Sequence, residues 1–197
     1  MALAALVPTI VLQATLALAS PQAEVVGQFN ETLLSLLDGD SDFDGRFAKI
    51  EPALKEAFDL EFMSSKVLGR GWKDLTPEQK VQWLETFTRL TASNYAGRFV
   101  GEKGPTFETL AVEEGARNTT MVRTKLVDPA KEDVELTYRL RETPDGWKVI
   151  DCYLNGTDSE VALRKSEFGS VLRRDGFDSL VTAVNSKSEA LASGTVP

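Results

Sequence analysis

Between Pro21 and Leu37 the apolar residues Val25, Val26, Phe29, Leu33, Leu36 and Leu37 recur at intervals of three and four, which predicts a helix with one apolar face. Pro21 suits its first turn, and Asp38-Gly39-Asp40-Ser41 stops it. Phe43, Phe47, Ile50, Leu54, Ala57 and Phe58 keep step in a second helix, which Pro52 is expected to divide. A short helix from Leu60 to Leu68 ends at Gly69. Thr76-Pro77-Glu78-Gln79 is the strongest local signal: Thr76 caps, Pro77 fits the first position and Gln79 completes a capping box. The helix it opens runs to about Val100, with Val81, Trp83, Leu84, Phe87, Leu90, Tyr95 and Phe99 spread over about half its circumference. So wide an arc meets more than one neighbour, packing on a sheet with one edge and lining a cavity with the other.

The period then changes to two. Thr106–Glu114, Thr119–Val127, Val134–Arg141 and Trp147–Leu154 are predicted strands, the third with Val134, Leu136, Tyr138 and Leu140 on one face and charged or polar residues on the other. Pro144-Asp145-Gly146 makes the last two a hairpin, and short connections elsewhere predict an antiparallel meander. Asp158 or Ser159 caps a further helix that ends at Asp175-Gly176. A last helix carries Phe177, Leu180, Val181 and Val184, and Ser186–Pro197 is expected to fray. The order predicts one α+β domain, an antiparallel sheet of about four strands with helices packed on one face.

The first nineteen residues stand apart. Residues 2–19 carry no charge and end in Ala17-Leu18-Ala19 before Ser20-Pro21, the pattern of a secretory signal and its cleavage site. A buried N-terminal helix and a membrane anchor are the competing readings, the anchor weakened by Pro8, Gln13 and the small residues. We therefore expect a signal peptide over 1–19 and a single exported domain over 20–197, in a periplasm or outside the cell.

Charge and composition exclude more than they suggest. Twenty-two Lys and Arg against 30 Asp and Glu give a net charge of -8, a poor balance for nucleic acid or an anionic membrane surface. No histidine is present, which removes histidine-activated nucleophiles and histidine metal sites. The single cysteine, Cys152, cannot form an internal disulfide or a thiolate cluster. Asp38, Asp40, Asp42 and Asp44 alternate as in a calcium loop, but the glycine and glutamate of an EF-hand are missing at their positions, so a solvated interhelix loop is the better account. Gly69-Arg70-Gly71 follows no strand, so it is a sharp turn rather than a phosphate loop. Asp151 is either a hydrogen-bonded strand residue or a tuned site residue; no second titratable group is placed at its side by the sequence pattern, which favours structure. What remains is an excess of large apolar side chains, ten Phe, three Trp and three Tyr. They fill a packed core or they surround a cavity for an apolar ligand.

Several segments carry a resemblance. Phe58-Asp59-Leu60-Glu61-Phe62-Met63, Leu68-Gly69-Arg70-Gly71-Trp72, Leu75-Thr76-Pro77-Glu78-Gln79 and Tyr95-Ala96 are similar to the MlaC-like periplasmic carriers of the lipid-asymmetry and toluene-tolerance systems. Val134–Leu140, Gly146–Asp151, Arg164–Phe168 and Asp175-Gly176-Phe177 resemble the same family, and Ser159–Arg174 resembles its hopanoid-associated branch. Gly156-Thr157-Asp158-Ser159 stands where that family usually has Gly-Val-Ser.

The resemblance implies a non-enzymatic carrier without cofactor or metal. It would hold the tails of a phospholipid or hopanoid-type lipid in an apolar pocket between sheet and helices. Its partners would be an inner-membrane ABC transporter complex and an outer-membrane lipoprotein complex. For the pocket we expect Phe62, Met63, Leu68 and Trp72 from the short helices, and Leu84, Phe87, Tyr95 and Phe99 from the long one. Val122, Leu136, Tyr138 and Val149 are expected from the sheet, pointing toward the helices. Two other classes stay open: a docking module that carries nothing, and a small α+β enzyme using Asp151 with a pocket tyrosine.

Overall fold

A computed structural model describes residues 20–195 apart from 38 and 40. The expected signal segment over 1–19 lies outside the described residues. The chain order is α1 (Pro21–Ser35), α2 (Phe43–Ala57), α3 (Leu60–Leu68), α4 (Gly71–Asp74), α5 (Pro77–Arg98), β1 (Thr106–Gly115), β2 (Thr119–Val127), β3 (Val134–Thr143), β4 (Gly146–Leu154), β5 (Asp158–Ser159), α6 (Glu160–Asp175) and α7 (Phe177–Ala192). The sheet is an antiparallel meander in the order β1-β2-β3-β4-β5. Among the described residues no helix is long and apolar enough to cross a membrane.

The helix starts follow their local chemistry. Gln79 N donates to Thr76 Oγ1 at 3.2 Å while Thr76 N donates to Gln79 Oε1 at 3.0 Å, which closes the capping box of α5. Asp42 caps α2 by accepting from Gly45 N at 2.8 Å, and Ser159 caps α6 by accepting from Ala162 N at 3.0 Å. Gly69 ends α3 at φ 59°, a conformation that needs no Cβ.

Three expectations are corrected. Pro52 does not divide α2. Its missing N–H leaves the Ala48 carbonyl without its helical partner, but both residues are exposed, so water serves the carbonyl while Ile50 and Leu54 stay buried on the other side. The C-terminal segment does not fray at Ser186: α7 runs to Ala192, because Leu191 packs against the bare backbone of Gly97 on α5. Val81, expected on the apolar arc of α5, is exposed.

The sheet has one more strand than expected. The outer edge of β4 would otherwise leave its backbone groups unpaired. Two short pieces from distant parts of the chain close it. β5 pairs antiparallel with Tyr153 and Leu154, while Phe58 forms a parallel bridge to Val149, with Asp59 N donating to Val149 O at 2.9 Å.

A bulge sets which β4 residues face the helices. The register with β3 slips between Arg139 and Leu140, so that Leu140 opposes Val149 and Tyr138 opposes Cys152. Strict alternation would put Val149 and Cys152 on opposite faces; the extra residue in β4 turns both inward. On the other face Arg123 pairs with Glu135 and Lys125 with Asp133, a solvated charged surface. The core is centred on Phe29, whose ring meets Phe58, Tyr95 and Tyr138 edge-on at centroid distances of 4.8, 5.3 and 6.3 Å. The hydroxyl of the fully buried Tyr138 donates to Asn30 Oδ1 at 2.8 Å. Replacing Tyr138 by Phe leaves that amide oxygen buried without its donor. The expected loss is about 1–2 kcal/mol of unfolding free energy, read from a lower urea midpoint at an unchanged m-value.

Candidate functional site

A cavity of about 700 Å³ opens between the C-terminal half of α5, the ends of β2, β3 and β4, and the first turns of α6. Its depth is formed by Phe58 and Met63, both nearly without exposure, and its walls by Tyr95, Leu136 and Cys152. Val100, Leu154 and Leu163 stand at its mouth and are 52%, 40% and 59% exposed. Thr91 and Asn94 lie on the same stripe of α5, but their donors are spent on their own helix: Thr91 Oγ1 donates to Phe87 O and Asn94 Nδ2 to Leu90 O. The wall therefore presents mostly carbon.

Four of the residues expected to line a pocket do so: Met63, Tyr95, Phe99 and Leu136. Leu68, Phe87, Val122, Tyr138 and Val149 are not among the residues lining this cavity; they are buried in the packed core. Phe62 lies under the Arg141 guanidinium at 4.2 Å and the Lys66 ammonium at 4.7 Å, and Trp72 under Lys80 at 5.5 Å, so both rings cover surface. Leu84 faces a separate polar groove shared with Arg89, Arg141 and Glu61. The wide apolar arc of α5 thus divides along the helix rather than across it. Trp83 and Phe87 pack into the core with Phe168 at the start, and Thr91, Tyr95 and Phe99 meet the cavity at the end.

Phe58, Cys152 and Leu163 are cavity residues that sequence reasoning missed. Phe58 ends a helix by pattern, and only its bridge to Val149 brings it under the cavity. Cys152 was out of phase with Leu136 until the bulge turned it inward. Its side chain lines the cavity. Burial accordingly pushes the thiol up to about 12, with the carboxylates of Glu160 and Asp151 adding in the same direction. Burial also lifts the Tyr95 hydroxyl well above its usual range.

Asp151 is held as structure. Its Oδ1 accepts from Cys152 N at 2.9 Å and Val161 N at 3.1 Å, and its Oδ2 accepts from Ser159 Oγ at 2.6 Å. As the neighbour of Cys152 in an extended strand it points to the opposite face. It is absent from the cavity lining that contains Tyr95, so the carboxylate and tyrosine of the enzyme reading do not converge. Among the described residues no cluster of acidic or sulfur ligands suits a metal ion.

The fold and site define a class: an α+β domain with an open, carbon-walled cavity between sheet and helices, suited to an apolar ligand. Residues 26–186 match the MlaC protein family, and the chain belongs to that family. A solved structure of a phospholipid-binding protein from Ralstonia solanacearum, in complex with a phospholipid, is similar over 88% of this chain and 99% of that one, with 26% identity and a TM-score of 0.75.

The Cys152 thiol gives a pH test of the cavity wall. In the unfolded chain it ionises near the ordinary 9.0, but in the folded protein only near 12. The native state therefore binds the extra proton between those limits and loses stability as pH rises through them. The urea midpoint is expected to fall from pH 9 upward, and Cys152→Ala should flatten the first part of that fall.

Proposed function

We propose that this chain is an exported lipid carrier that encloses the tails of a phospholipid, or of a hopanoid-type lipid, and moves it through the periplasm between outer- and inner-membrane complexes. The observation that carries this reading is the open cavity with carbon walls, in a chain related to a phospholipid-binding protein. At ~30 Å³ per water-sized volume, 700 Å³ holds roughly two dozen such volumes, room for the methylenes of more than one acyl chain. Each methylene moved from water to such a wall contributes about 0.8 kcal/mol. Tail burial thus suffices for retention, and the exposed Val100, Leu154 and Leu163 at the mouth suit transfer to partners that present their own apolar channel.

The test begins with the chain from Ser20, purified without detergent and analysed by native mass spectrometry. About one retained phospholipid or hopanoid per chain is expected. A folded protein that is empty, and stays empty after incubation with liposomes, overturns the carrier reading in favour of a docking module. Leu136→Asp places a carboxylate on the cavity wall, where it is stranded from water once a tail enters. Retained lipid should drop at least about tenfold, while Val81→Asp on exposed α5 surface should retain it.

A further inference from the structure

The cavity contains one feature that tail burial does not require. Arg164, on the second turn of α6, lines the cavity, yet only 9% of its side chain is exposed. A wall meant only for hydrocarbon is served as well or better by an apolar residue there, because desolvating an ion pair offsets much of its attraction. The guanidinium is also fixed in place. Its carbon lies 5.9 Å from the ring centroid of Phe87 and 6.0 Å from that of Phe168, both buried rings.

Its partner is held far less firmly. Glu160 opens α6, and 40% of its side chain is exposed. One carboxylate oxygen, Oε1, accepts from Nε at 2.5 Å and lies in ion-pair contact with Nη2. Among the described residues Nη1 has no hydrogen-bond partner, and the pair is not the two-oxygen fork that arginine makes with its best anions. The cation is anchored on the cavity side and the anion can turn out to water. The other cations at the mouth, Arg98, Lys103 and Lys131, are exposed and screened.

We propose that Arg164 is the phosphate anchor of the cavity, with Glu160 its resting counterion, displaced when a phosphate ester enters. This rests on the carrier reading and names the part of the ligand that reading leaves open: a lipid bearing a phosphate on its glycerol backbone is preferred over one with the same tails and none. The planar fork offers a phosphate two parallel donors, one of them the unused Nη1.

The experiment compares phosphatidylglycerol with diacylglycerol of identical tails, competing for wild type, Arg164→Gln, Arg164→Lys and Glu160→Gln. The readout is bound lipid by native mass spectrometry, with thermal unfolding to report folding. Wild type should prefer the phospholipid, and Arg164→Gln should lower the preference ratio about tenfold, the worth of a charge-assisted hydrogen bond. Arg164→Lys keeps the charge without the fork and should fall between, which preserves the test if the glutamine variant fails to fold. Glu160→Gln removes the competing charge and should raise the ratio. Opposite signs for the arginine and glutamate variants support the anchor. Equal shifts in the same direction, or a wild type indifferent to phosphate, overturn it and leave the carrier reading intact. A wild type that takes up neither lipid fails the carrier reading itself. Inorganic phosphate alone should not displace phospholipid; displacement in wild type but not in Arg164→Gln would mark a free-phosphate site and overturn the lipid assignment.

Discussion

The edge-on packing of Phe29 against Phe58, Tyr95 and Tyr138 is the contact on which the rest of the structure depends. An apolar cavity inside a small protein is under constant pressure to collapse, because every wall atom lacks a partner on one side. Here Phe58 and Tyr95 are locked from behind by Phe29 and present only their outer surface to the cavity. Tyr138, tied to Asn30, holds β3 in the same group. The cavity wall is therefore the back of the core, and its shape is inherited from side chains that have no freedom to fill it.

The division of labour along α5 follows from the same arrangement. The first half of the helix packs Trp83 and Phe87 against Phe168, with the indole N–H donating to Ser64 O at 3.1 Å. The second half carries the cavity stripe, and its C-terminal end is tied down by Arg46, whose Nε donates to Ala96 O at 2.7 Å. That bond satisfies one of the carbonyls a helix end leaves open and places a cation where the dipole favours it. The element facing the empty space is thus fixed at both ends.

Much of the fold was legible in the sequence because it rests on local chemistry. The capping box at Thr76, the period change near Thr106 and the turn at Pro144-Asp145-Gly146 each act within a few residues, and the helices and four long strands lie where they predict. Long-range contacts were not legible. Pro52 looked like a break because its exposure could not be foreseen, and Ser186–Ala192 looked loose because Gly97 as its packing partner lies far away in sequence. The cavity was legible in kind but only partly in its residues. Periodicity ranks side chains as inward, yet Val149 and Leu136 are both inward, and only the packing of Phe58 and the β4 bulge decides which faces core and which faces empty space. Buried charge is equally hidden: on a helical wheel Arg164 is one more polar residue.

The closure of β4 by Phe58 on one half of its edge and Asp158–Ser159 on the other has a consequence for the order of events in folding. The two closing pieces are about a hundred residues apart in the chain, and neither is long enough to pair alone. The meander can form from neighbouring strands early, but its last edge stays open until the N-terminal helices and α6 have both docked. During that interval the edge is a template for another extended chain. Every newly made chain passes through that interval, so the speed of this final docking, as much as the depth of the native well, sets how much of it escapes aggregation.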